Sequence, residues 1–248
     1  MKATIKLGLA LSVLILSCRS KSVRIKSDDM YGSGNKEITF SYKKQKVYHR
    51  NDVVVIKYFS PLFKKEMISV LRVLGVPGDT IRIDNGSVWV NGKAYDFMET
   101  ATLPYKVYFK SNSDSINIVR QEQLSEAYIP GTFMLNRAKL KTVLSKGNID
   151  STVRFYFSDT VKQSAVVYSD LYKWNMDNFG PIRIKTQNES LESEERTFYY
   201  NAKTDGKELN KNYYFLIGDN FYRSLDSRFI GLIPDSNIEG KVTGEVAD

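Results

Sequence analysis

Three features of the sequence predict a mostly β fold. Tyr and Phe are numerous, 16 and 13 of 248 residues, and aromatic side chains suit the pleated, half-buried surface of a strand. Runs of β-branched and alternating apolar residues recur along the chain, Val53-Val54-Val55-Ile56 being the densest. Asn-Gly pairs fall between such runs, at Asn85-Gly86 and Asn91-Gly92, where two residues of positive φ close a tight hairpin.

The elements follow in order. Val23 to Ile25 alternates as a short strand, and Gly32 and Gly34 break it. Asn51 to Phe59 reads as a strand that Pro61 ends. Met67 to Leu74 is a second, closed by Gly75-Val76-Pro77-Gly78-Asp79. Ile81-Arg82-Ile83 and Ser87 to Val90 alternate around Asp84-Asn85-Gly86. From Tyr95 to Lys211 the pattern loosens. Strands are expected at Tyr105–Phe109 and Val153–Phe157, and a helix over Leu135–Leu144, where Leu140, Val143 and Leu144 take helical spacing. Asn178 to Ile184 reads as turn then strand, and the acidic run Glu189–Glu195 as a solvated loop or helix end. Tyr213 to Ile217 is an apolar run with the look of a buried strand.

That last strand feeds a polar stretch, Gly218-Asp219-Asn220, then Ser224-Leu225-Asp226-Ser227-Arg228, then Gly231-Leu232-Ile233-Pro234 and Ile238-Glu239-Gly240-Lys241. Asp226 and Arg228 are two apart, so on an extended segment they share a face. Taken alone, the stretch reads as a polar turn with a structural ion pair.

Composition narrows the chemistry. A chain of 248 residues suffices for one large or two small domains with a real core. One Cys and one His exclude an intrachain disulfide and a zinc site made of several Cys and His residues. A Ser-His-Asp mechanism has only His49 to draw on. No phosphate-binding or dinucleotide fingerprint occurs, and neither a metal nor a cofactor is expected. The net charge of +8 comes from scattered lysines without a nucleic-acid motif, so an anionic membrane surface is the expected partner rather than nucleic acid.

The N-terminus points the same way. Lys2 and Lys6 precede an apolar run from Leu7 to Leu16, too short for a span of about 20 residues but the length of a signal-peptide core. Ile15-Leu16-Ser17-Cys18 resembles a bacterial lipoprotein signal, which implies cleavage after residue 17 and lipidation of Cys18, the chain's single Cys. A plain signal peptide or an uncleaved anchor is the alternative. Loss of Lys2 and Lys6 would leave a charge of +6 on a protein held at the periplasmic face of a bacterial membrane, in the cell envelope, by acyl chains.

Four separated segments, in order, resemble the bacterial type I signal peptidases. Asp52-Val53-Val54-Val55 is similar to that family's G-D-x-V-x-F, with Asn51 in place of Gly. Leu71-Arg72-Val73-Leu74-Gly75-Val76-Pro77-Gly78-Asp79 is similar to K-R-x-x-G-x-P-G-D, and Asn91-Gly92 to the Asn-Gly that follows. Gly218 to Lys241 is similar to G-D-N…S-x-D-S-R-x-x-G-x-[IV]-P…I-x-G-K nearly throughout. Trp174 and Asp177 to Ile182 further resemble the long-insertion version found in Bacteroidetes-type bacteria. The resemblance spans about Val23 to Val242. It implies a signal-peptidase-like antiparallel β domain, 23–94 and 212–248, with a large mixed insertion, 95–211.

Family members cut signal peptides with a Ser nucleophile and a Lys base. A Ser hydroxyl is a poor nucleophile until something takes its proton. A Lys can do so only where burial lowers its pKa. The family's S-x-S-M-x-P-T corresponds to Ser27-Asp28-Asp29-Met30-Tyr31-Gly32-Ser33, which places Asp29 at the nucleophile position. The base position falls on Leu71. Both reactive groups are therefore absent from their expected places. Ser27, two before Asp29, shares its face on a strand and is the least unsuitable substitute; Ser33 sits four past it, and Lys64 and Lys65 precede the strand of Leu71. Site-supporting roles fall on Ser224, Asp226 and Arg228, with Arg72 and Asp219 beside them. Asp226–Arg228 is expected as a partly buried pair, and Ser224 is expected to face Leu71. Because the family takes extended peptide by strand addition, binding of signal or other exported peptides is expected to outlast cleavage. The alternatives are an active peptidase with displaced residues and a structural envelope lipoprotein.

Overall fold

The computed structural model describes residues 21–26, 37–60, 63–96, 101–122, 124, 131–156, 174–200 and 208–246. Their strands form three antiparallel sheets. β1 (Lys21–Lys26) and β2 (Glu37–Lys43) pair as a ribbon, and β3 (Val53–Ser60) and β4 (Lys65–Gly75) pair along their full length, from Val53↔Arg72 to Ser60↔Lys65. β5 (Thr80–Asp84), β6 (Ser87–Val90) and β7 (Lys93–Tyr95) form a meander. The two expected Asn-Gly turns join it, with φ of 45° and 64° at Asn85-Gly86 and 52° and 75° at Asn91-Gly92.

The middle of the chain builds β8 (Leu103–Phe109), helix α1 (Asn112–Gln121), β9 (Thr132–Leu135), helix α2 (Arg137–Ser145) and β10 (Ile149–Arg154). The last four strands in order are β11 (Phe179–Arg183), β12 (Tyr213–Ile217), β13 (Ile233–Pro234) and β14 (Ile238–Val246), with a one-turn helix α3 (Ser227–Ile230) before β13. Sheet orders are β1-β2-β14-β3-β4-β12-β13, β10-β8-β9 and β11-β5-β6-β7. The helix expected over Leu135–Leu144 starts two residues later, because Thr132–Leu135 is a buried strand and Asn136 caps the helix by accepting from Lys139 N–H. The acidic run Glu189–Glu195 ends in a turn of 3-10 helix, Glu195–Phe198.

The segment expected as an insertion is not uniform. β8, β9 and β10 form a sheet of their own, whereas β11 pairs with β5. Close packing ties the β5–β11 side of the molecule to β4: a side chain on Gly75 would begin 2.6 Å from Ile184 and 2.8 Å from Ile81. The largest apolar core lies here and includes Leu74, Ile81, Phe179, Phe215 and Phe221. A second core lies against the seven-stranded sheet and contains Val54, Ile56, Tyr58, Leu71, Val73, Tyr214, Leu216 and Ile233. No helix among the described residues is long and apolar enough to cross a membrane.

Candidate functional site

β4 and β12 lie side by side, with Leu216 opposite Val73 and Ile217 opposite Arg72. Leu71 faces Val54 on the other neighbour, β3. It is fully buried in the second core. Period-two alternation then turns Arg72 to the opposite face, where it forks onto Asp219: Nε donates to Oδ1 at 2.7 Å and Nη2 to Oδ2 at 2.6 Å. The remaining nitrogen, Nη1, donates to Asn51 O at 3.0 Å. Asp219 O accepts from Thr102 N–H at 2.7 Å, which fastens the turn after β12 to the start of β8.

Beyond that turn the chain is held by Asp226 and Arg228. Asp226 is the N-cap of α3, its carboxylate accepting from Arg228 N–H at 3.1 Å. The Arg228 side chain returns to the same carboxylate, Nε to Oδ1 at 2.9 Å and Nη2 to Oδ2 at 2.7 Å. Two expectations are corrected here. The pair spans a helix cap rather than an extended segment, because Asp226 is extended while Ser227 begins the helical turn. It is also wholly rather than partly buried, with both side chains at 0% exposure. Arg228 is further held by Phe221 O and lies 4.0 Å from the Phe221 ring centre.

The same turn completes the edge of β12. Leu216 and Gly218 are two residues apart, so their N–H groups point to one edge. Ser227 Oγ accepts from Leu216 N–H at 2.8 Å and Asp226 Oδ2 from Gly218 N–H at 3.3 Å. Ser227 carries this role without having been singled out in the sequence. Ser224 is buried and its hydroxyl has no hydrogen-bond partner.

Two ion pairs were also missed, though their residues sit in or beside the motif segments. Lys241 Nζ lies 2.5 Å from Asp52 Oδ1, and Asp52 Oδ2 accepts from His49 N–H at 2.9 Å. Arg50 Nη2 donates to Asp79 Oδ2 at 2.7 Å. Burial pushes the Asp79 carboxyl upward, but hydrogen bonds from Val76 N–H, Arg50 and Asn91 outweigh it and hold the pKa below the ordinary value. Each link needed the register of β14 between β2 and β3, or the turn before β3, to be seen.

Cys18, Ser27, Asp29 and Ser33 lie outside the described residues. His49 has a 79% exposed side chain, with Nδ1 3.9 Å from Asp52. Lys64 and Lys65 are exposed at the far end of the β3–β4 hairpin, six or more residues from Leu71, or roughly 20 Å along the strand. Among the described residues no lysine is buried. The polar groups around the turn after β12 include the Arg72 and Arg228 guanidiniums, the Asp219 and Asp226 carboxylates they engage, and the hydroxyls of Ser224 and Ser227.

Comparison against known proteins gives the family. The profile of the family described as signal peptidase, peptidase S26, matches residues 1–246, and the chain belongs to that family. Among characterised relatives it is similar to the signal peptidase I of Buchnera aphidicola subsp. Baizongia pistaciae (strain Bp), with 22% identity over 252 residues, covering 83% of this chain and 81% of that protein.

Proposed function

We propose that the protein is a non-catalytic member of the signal peptidase family that binds extended or exported peptide chains at the outer face of a bacterial membrane, anchored through a lipidated Cys18. One observation carries the loss of catalysis. Leu71, at the position the family resemblance gives to the base, is fully buried among Val54, Val73, Tyr214 and Leu216. A lysine base needs burial to shed its proton near neutral pH, and no described lysine has it. The resemblance also puts Asp29 where the family has its serine. The bracing around β12 supports retention of the fold, and with it a surface for strand addition.

The test is to incubate the full chain in detergent with a signal-peptide substrate. Binding by fluorescence anisotropy without cleavage is the expected result. Cleavage that disappears in Ser27→Ala would overturn the proposal in favour of an active enzyme with a displaced nucleophile. Neither binding nor cleavage would leave a structural lipoprotein. The anchor is tested by palmitate labelling, which Cys18→Ala is expected to abolish.

A further inference from the structure

The strongest unassigned feature lies between the β11-β5-β6-β7 sheet and the β10-β8-β9 sheet. A cavity of about 280 Å3 opens there, with Val88, Tyr95 and Leu103 as apolar walls, Ala94 and Asp96 at the β7 side, and Arg154 at the end of β10. The arginine sets it apart. Arg50, Arg72 and Arg228 each hold a carboxylate, whereas Arg154 is ion-paired with none among the described residues. Its Nη2 donates to Gly86 O at 3.0 Å, its Cζ lies 5.0 Å from the Tyr156 ring centre, and its Nε–H is buried without an acceptor. Gly86 is what allows the approach, since a side chain there would begin 2.5 Å from Arg154 Nη2.

The acids nearby are already committed. Asp96 accepts from Arg137 Nη2 at 2.9 Å, and Asp177 accepts from the Tyr222 hydroxyl. Tyr105 and Tyr222, which feel the Arg154 charge, are buried phenols that stay protonated. A guanidinium is a planar fork suited to a carboxylate, and here it faces a small, mostly apolar space whose lining acid, Asp96, is held by Arg137 instead.

We propose that this cavity is a carboxylate-binding site. Arg154 takes the carboxylate, and a short branched apolar body packs on Val88 and Leu103. The volume falls just under the usual range of ligand pockets, roughly 300–1,000 Å3, which suits a group the size of one residue. Two sources share this chemistry: a free branched short-chain acid, and the C-terminal residue of an extended chain. β7 is the last strand of its sheet, so its outer edge offers backbone groups along which such a chain would lie. The assignment is independent of the loss of catalysis argued from Leu71.

The experiment titrates the full chain in detergent by calorimetry with 3-methylbutanoate, 3-methylbutanamide, acetyl-Gly-Gly-Val and its C-terminal amide. At least one acid is expected to saturate, about 10-fold or more tighter than its amide. Arg154→Gln is expected to erase that preference. Because Arg154 also holds Gly86, Ala94→Phe, on the exposed strand edge, is the second variant; it is expected to block binding by filling the cavity while the thermal midpoint holds. Binding of the peptide acid alone identifies a chain terminus as ligand, and binding of 3-methylbutanoate as well identifies a free acid. No saturable binding, equal binding of acid and amide, or binding that survives both variants overturns the proposal.

Discussion

Leu71 on β4 and the turn from Gly218 to Ile230 stand on neighbouring strands, yet they are built on opposite principles. Leu71 sits in a cluster of aliphatic and aromatic residues, and its side chain contributes area and shape only. The polar atoms of Asp226 and Arg228 are bonded to one another, and Ser227 and Asp226 also take the backbone amides of Leu216 in β12 and of Gly218 just after it. The difference teaches which part of such a fold can change alone. An apolar residue at position 71 needs no counterpart elsewhere. A change at Asp226 strands the Arg228 guanidinium and the Gly218 amide, and a change at Arg228 strands the Asp226 carboxylate and the Phe221 carbonyl.

The largest expected effect tests the polar half. Arg228→Ala leaves the Asp226 carboxylate buried and unpaired, and is expected to cost about 3–5 kcal/mol in urea unfolding. A loss below about 1 kcal/mol would show that the pair is not the brace described above. On the apolar half, Leu71→Ala is expected to cost about 2–5 kcal/mol, as a cavity in a close-packed core. Leu71→Lys sharpens the contrast through its pH dependence. Burial depresses the folded-state pKa of the introduced amine below its unfolded value, so the unfolded state binds the extra proton. Stability is then expected to rise with pH between those two values, whereas wild type has no such group there.

Arg72→Ala probes the boundary between the halves. With 14% and 7% exposed side chains, Arg72 and Asp219 form a less buried bidentate pair, and the expected loss is about 1–3 kcal/mol. Asp79 gives a smaller, pH-specific effect. Its folded pKa is depressed, so its contribution is present above the unfolded value of 3.8 and fades as pH falls through the folded value. Comparing wild type with Asp79→Asn between pH 5 and about 2 should remove that part of the acid-induced loss. The smallest signal belongs to Glu189, far from both halves. Arg183 and Thr186 hold its pKa down to about 2, and an NMR titration of Arg183→Ala should find it nearer the ordinary value.

Parts of this were legible in the sequence for physical reasons. Asn-Gly turns were, because few other dipeptides tolerate two positive φ values. β3 and β4 were, because β-branched runs bounded by Pro and Gly leave little else to form. β2 was not read, although Ile38, Phe40 and Tyr42 alternate through it and line a third core with Val55 and Val70. Helix α1 was not read either, because Asn, Ser and Ile are poor helix formers; it is set by the Ser111 cap and by burial of Ile118. Asp226 and Arg228 could be paired from their spacing, but a single helical turn has no periodicity to announce it. Asp52 and Lys241 lie 189 positions apart in the chain, and only the placement of β14 beside β3 brings them together.

The side chains that complete β12 also cover backbone groups that another chain could otherwise pair with. β13 covers the outer edge of β12 only at Tyr213 and Tyr214. Beyond that point Ser227 and Asp226 stand in for a strand. An undocked α3 would leave the Leu216 and Gly218 amides open on one of the most apolar strands of the molecule, a template for intermolecular pairing. A Ser227→Ala chain, with the Leu216 amide uncovered, is therefore expected to aggregate on refolding at concentrations where wild type does not, as light scattering would report.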